Sequence, residues 1–150
     1  MSSVHDFLKD WLNHRGILEE LLEQIDDEHV HYKPWDGAMS LGTLALHIAT
    51  SGEMFAKMVK TEKFEAPDMP EFETMKGVRD AVKELTKKTQ KVIEETTDEE
   101  LQQQNKAELP KMQGTKYQYL KAMYEHEIHH KGQLFVYARM VGVEKVPFFR

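Results

Sequence analysis

The chain has 150 residues, 40% of them hydrophobic, which predicts one globular domain, spanning residues 1–150 and able to bury a core. A net charge of −6 offers no general attraction to nucleic acid or an anionic membrane, and neither is expected as a partner. With no cysteine, disulfides and thiolate ligation are excluded, histidine and carboxylate remain as metal donors, and any thiol chemistry needs an external thiol.

Helix one is predicted from about Ser3 to Ile25, with Ser3 and Asp6 as a capping pair and Phe7, Leu8, Trp11, Leu18, Leu21, Leu22 and Ile25 as its apolar stripe. Nothing in the N-terminal Ser2, Ser3, His5 and Asp6 resembles a signal sequence, and no run reaches the roughly 18 apolar residues of a membrane helix, so a cytoplasmic location is expected. Asp26 to Met39 contains Pro34 and Gly37 and reads as loop. Ser40 caps helix two, which runs to about Lys60 and carries His47 beside a face of Leu44, Ile48, Ser51 and Phe55. Pro67 and Pro70 break the chain, and Thr74 opens a third, more polar helix through Val78, Val82, Leu85, Thr89, Val92 and Ile93. Its lysines, Lys83, Lys87, Lys88 and Lys91, lie on a helix that also carries glutamates and read as a solvated face.

Thr97-Asp-Glu-Glu100 has the pattern of a capping box over a short helical turn, and Leu109 to Gly114 is irregular, suited to a small hairpin. Thr115 with Gln118 is another capping box, opening the last long helix, which ends near Val141 with Gly142 as its stop. Four long helices with one-sided apolar stripes predict an all-α four-helix bundle. The connections of about a dozen residues after helices one and two suit crossovers as well as antiparallel turns, so spacing alone leaves the order open.

The chemistry concentrates in Tyr124-Glu-His-Glu-Ile-His-His-Lys-Gly-Gln133. His126 and His130 stand one helical turn apart, on the same side as Met123, Leu134, Tyr137 and Val141, so both are expected to face inward at metal-ligand spacing. His129 falls at the polar border. A catalytic site usually needs a third protein donor, for which the sequence offers His47. His5, His14, His29 and His31 share no such spacing and read as surface or packing residues.

His126 to His130 also matches the HExxH pattern of zinc peptidases, but no later histidine follows and Glu144 is the sole acidic residue after it, so that reading is set aside. Glu127 falls on the wheel between the ligand arc and Lys131, where a surface salt bridge is expected rather than a base. Gln133 is placed either to hydrogen-bond a ligand imidazole or to cap, and Tyr137 is a further candidate for the site. A second apolar arc, Tyr124, Ile128 and Phe135, predicts association into a homodimer.

Helix two with Leu44-Ala-Leu-His47-Ile-Ala, preceded by Lys33-Pro34-Trp35, and helix four with His126-x-x-x-His130-Lys131-Gly132-Gln133-Leu134 together resemble the DinB-like family, named from DNA-damage-inducible proteins, over nearly the whole chain. The resemblance implies a bundle in down-up-up-down order, dimerisation, and a divalent metal held by His47, His126 and His130. It also implies kinship with a superfamily whose characterised members use low-molecular-weight thiols such as bacillithiol, as transferases or isomerases. Imidazole donors suit several metals, with zinc or nickel ranked first and iron behind them. A metal-dependent thiol S-transferase or hydrolase is the leading expectation. The alternative is a non-catalytic, metal-stabilised dimerisation or interaction module, in which a fourth protein ligand closes the site.

Overall fold

The structure, a computed structural model, describes residues 3–150; Met1 and Ser2, part of the N-terminal stretch read above, lie outside the described residues. Its helices are α1 (Val4–Glu23), α2 (Leu41–Thr61), α3 (Met75–Glu94), the short α4 (Asp98–Leu101) and α5 (Lys116–Met140), with a single 3-10 turn at Asp27–His29. The helix starts follow the predicted caps. Ser3 accepts from the Asp6 amide, Ser40 from Thr43, Thr74 from Gly77, and reciprocal capping boxes open α4 at Thr97 and α5 at Thr115. Gly142, at φ 98°, takes the left-handed conformation that ends α5.

Two of these starts are also held from a distance. The Val4 amide donates to Asp98 Oδ1 at 2.8 Å, and the Met75 amide to Asp27 Oδ1 at 2.7 Å, so unpaired helix N-terminal amides tie separate parts of the chain together. The hairpin expected near Leu109 forms a bridge between Leu109 and Met112, gripped by the Tyr119 hydroxyl, which accepts from the Leu109 amide and donates to the Met112 carbonyl.

Side-chain pairings fix the directions of the helices. Along α1, Trp11 and Arg15 meet Glu127 and His14 meets Lys131, so α1 and α5 run parallel. Arg15 also meets Thr86, Glu23 meets Lys83 and Ile25 meets Arg79, so α3 runs against α1. On α2, Lys60 reaches Glu95 beyond the end of α3, while Met39 at the start meets Tyr137 and Phe55 lies near His126, making α2 parallel to α3 and antiparallel to α5. The result is a down-up-up-down bundle in which α2 and α5, bearing the histidines, are neighbours. Parallel α2 and α3 require a connection that returns along the bundle. The 21 residues of α2 rise about 31 Å, whereas residues 62–74 reach about 43 Å when extended, enough for that crossover.

The interior is apolar at both ends and polar between them. One cluster, with Leu18, Leu22, Leu41, Leu44, Val78, Val82 and Leu134, fills one end; the other, with Phe7, Trp11, Phe55, Met58, Tyr119 and Met123, fills the opposite end. Between them Arg15, fully buried, forms a two-pronged ion pair with Glu127: Nε to Oε2 and Nη2 to Oε1, both 2.8 Å. The Trp11 indole donates to Glu127 Oε1 at 2.9 Å, Arg15 Nη1 donates to Thr86 Oγ1 at 3.1 Å, and the guanidinium lies 4.8 Å from the Trp11 ring centroid. Gly52 makes room on α2, since a Cβ there would stand 3.0 Å from Arg15 Nη2. This corrects the expectation that Glu127 forms a surface salt bridge with Lys131. The inward stripe of α5 runs through Met123, Glu127, Lys131, Leu134 and Ala138, so its polar members are buried and partnered by α1.

Because each charge is stranded when the other is removed, Arg15→Met and Glu127→Met should each lower stability by about 3–5 kcal/mol, while the double variant recovers a large part of that loss. Urea unfolding of the four proteins measures both. Additive losses in the double variant would contradict the pairing.

Candidate metal centre

The site forms where the middle of α5 faces the first turns of α2. His47 lies two turns inside α2, oriented by the Ser40 cap, and His126 and His130 project from successive turns of α5. Their ring centroids are 4.9 Å (His47–His126), 4.8 Å (His47–His130) and 4.4 Å (His126–His130) apart, and one nitrogen from each lies within 4.8 Å of the others. All three side chains are half-buried. Among the described residues this is the one group of histidines and carboxylates with such convergence.

The donor set fits a divalent cation. His47 Nε2 and His126 Nε2 stand 3.2 Å apart, close to the edge of about 3.3 Å that two nitrogens of a tetrahedral zinc site keep at ordinary zinc–nitrogen distances. Gln133 Oε1 lies 2.7 Å from His130 Nδ1, which places the proton on Nδ1 and leaves the Nε2 lone pair for a metal. The Phe55 ring lies beside the cluster, its centroid 6.4 Å from that of His126. Burial, reinforced by His130, His47 and His129, pushes the His126 pKa down to about 4, and burial with His130 lowers that of His47. Both imidazoles are therefore held neutral at pH 7, the state that ligates metal.

Of the other candidates, Gln133 makes the contact with a ligand imidazole that its position allows. Tyr137 is turned elsewhere: its hydroxyl donates to the Met39 carbonyl at 3.0 Å, and burial, with Tyr32 alongside, raises its pKa and keeps that proton in place. Glu127, held by Arg15 and Trp11, is neither a fourth ligand nor a free base. His129 is exposed, as expected.

His14 proves to be a packing residue with a defined role: Lys131 Nζ donates to its Nδ1 at 2.7 Å and to the Phe149 carbonyl at 2.6 Å, and the Tyr124 hydroxyl lies 3.1 Å from its Nε2. Sequence reasoning missed this chain and the Arg15–Glu127 pair. The available signal was periodic. Arg15 sits four residues after Trp11 and three before Leu18, and Lys131 sits three before Leu134, so both occupy apolar-stripe positions that their charge disguises.

His47→Ala, His126→Ala and His130→Ala should each abolish retention of about one metal ion per chain, measured by elemental mass spectrometry, while His129→Ala leaves it intact. Gln133→Ala should weaken metal binding about 10–100-fold without removing a ligand. In the metal-free protein, the depressed pKa of His126 means that the unfolded chain binds the extra proton first. Stability should therefore fall as pH drops from about 6.5 towards about 4, and less steeply in His126→Gln, as thermal unfolding across that range will show.

A sequence model of the DinB family matches residues 1–149. The uncharacterized protein YjoA of Bacillus subtilis is 34% identical over 153 residues, covering 100% of this chain and 98% of its own length. The crystal structure of that DinB-like protein superposes with a TM-score of 0.84 at 33% identity, covering 97% of this chain and 98% of the other. A DinB-like protein from Bacillus cereus shares the fold, with a TM-score of 0.83 at 24% identity and 97% coverage of each chain. Full-length similarity in sequence and in fold places this chain in the DinB family.

Proposed function

We propose that the protein is a metal-dependent enzyme in which His47, His126 and His130 hold a divalent cation, zinc or nickel before iron, and that it transfers a low-molecular-weight thiol to an electrophile. The observation that carries this reading is the convergence of three imidazoles, which no fourth histidine or carboxylate among the described residues joins. A three-imidazole donor set with room for water or substrate as the fourth ligand is the composition of a catalytic rather than a closed structural site. When bound, the cation supplies undiminished positive charge that acidifies a thiol or a water molecule beside the imidazoles. The chain's own residues keep His47 and His126 neutral by burial, orient His130 through Gln133, and set the Phe55 ring beside His126. Thiol is preferred to water through the family resemblance. It is favoured further because Glu127, the residue that an HExxH peptidase would use as base, is occupied by Arg15 and Trp11.

The proposal includes self-association. Of the arc that suggested it, Tyr124 packs edge-on to His14 and Phe135 packs against the core, which leaves Ile128, 38% exposed, as its outward member. The dimer thus rests on the resemblance more than on that arc. A cytoplasmic location belongs to the same reading; no helix among the described residues is long and apolar enough to cross a membrane.

Zinc- or nickel-loaded protein incubated with a panel of thiols and small electrophiles should turn over only when thiol is present, and a chelator should abolish the activity. Equal turnover with and without thiol identifies a hydrolase, and no turnover with any pair supports the metal-stabilised interaction module. Light scattering at tens of micromolar, roughly the range for weak interfaces, should show two chains per particle; a monomer removes that part of the proposal.

A further inference from the structure

Beside the histidines lies a groove of about 650 Å³ that the metal reading leaves without a role. One wall is the loop before α2, with Pro34, Trp35 and Met39; the other is the outer face of α5, with Val136 and Met140. His130 and Gln133 form its end nearest the metal centre. No lysine, arginine, aspartate or glutamate lines it. Its volume falls in the range of sites for small organic molecules, which are mostly apolar with a few placed polar groups.

The walls are fixed rather than loose. The Tyr137 hydroxyl ties α5 to the Met39 carbonyl, the Tyr32 hydroxyl reaches Met140 Sδ at 3.4 Å, and the Tyr32 and Tyr137 rings meet edge to face with centroids 5.9 Å apart. Loop turns are closed by Ala38 to Trp35 and Leu41 to Tyr32 backbone hydrogen bonds. The large apolar side chains that remain exposed nearby, Trp35 at 65%, Val136 at 56% and Met140 at 57%, all border this groove. At the metal-side end, Gln133 uses its carbonyl oxygen on His130, which leaves its amide N–H groups as donors for a neutral polar atom.

We propose that this groove binds the flat apolar body of an uncharged substrate, whose polar end lies against His130 and Gln133 at the metal centre. The inference rests on the metal-site reading and assigns to it the class of substrate: the hydrophobic electrophile, not the thiol. A thiol carried on a sugar or peptide bears carboxylates and hydroxyls, for which the groove has no cation and few donors. A planar hydrocarbon matches its indole, proline, valine and methionine surfaces, and a carboxylate placed among them loses hydration without gaining a partner.

The test compares imidazole, phenylimidazole and its carboxyphenyl analogue as probes of the zinc-loaded chain, by calorimetry and tryptophan fluorescence. Phenylimidazole should bind at least about tenfold more tightly than imidazole, since burying even half of a phenyl face contributes that much, and the carboxylate should cancel the gain. Val136→Glu, on an exposed position, should remove the gain while preserving zinc content and imidazole affinity; Ile128→Glu, elsewhere on α5, should change neither. Equal binding of imidazole and phenylimidazole, or a gain that survives Val136→Glu, overturns the proposal. So does a Val136→Glu protein whose mass falls from two chains to one with unaltered probe affinities, which assigns the groove to a second copy. Zinc content decides the metal-site reading separately. If no zinc is retained, that reading fails, and the groove is then judged on the metal-free chain: saturable phenylimidazole binding lost in Val136→Glu sustains it, and no binding overturns it.

Discussion

The buried pair of Arg15 and Glu127 sets the rotation of α5 in the bundle. An ion pair this deep is a poor source of net stability, because desolvating both groups offsets their attraction. Its geometric effect is larger. Two parallel hydrogen bonds from a guanidinium, with a third from the Trp11 indole, leave the Glu127 carboxylate little freedom to turn. Glu127 immediately follows His126, so a helix locked at 127 towards α1 must present 126 and 130 towards α2. A rotation of one residue, about 100°, would carry both imidazoles away from His47. The charges contribute by specifying one arrangement.

The histidine cluster is the complementary case. Two Nε2 atoms at 3.2 Å cannot both present lone pairs with nothing between them: one proton, shared as a hydrogen bond between His47 and His126, satisfies the pair, and a cation would take that proton's place. The bundle supplies the order that makes this economical to maintain: apolar clusters at both ends, a capped start to α2, and Gln133 fixing one tautomer. Preorganisation of this kind is the protein's part in any metal chemistry there.

Much of this was legible in the chain itself. The caps at Ser3, Ser40, Thr74, Thr97 and Thr115 lie beside the residues they serve, and their chemistry is local, so boundaries could be read directly. The inward turn of His126 and His130 followed from spacing. What could not be read was pairing across the bundle. A wheel treats a charged residue as outward by default, and that rule misplaced Glu127 and Lys131, whose partners Arg15 and His14 lie more than a hundred residues away. The helix order was open for a similar reason: loops of a dozen residues permit several paths, and the resemblance, not the spacing, supplied the one observed. The groove was invisible because Trp35 and Met39 lie on a loop, with no period to join them to Val136 and Met140 one turn apart on α5.

The crossover between α2 and α3 also shapes how the chain arrives at this fold. His47 and His126 are 79 residues apart, and the helix that follows His47 in sequence runs beside it in the same direction, so no local hairpin brings the ligands together. Closing so long a loop has an entropic cost that must be met before its contacts form. During synthesis, α1, α2 and α3 emerge with their buried faces incomplete, and Arg15 waits without its carboxylate until α5 leaves the ribosome. The three histidines therefore come together only once α5 packs beside α2. A cation held there would contribute its stabilisation to the folded state, not to the earliest steps towards it.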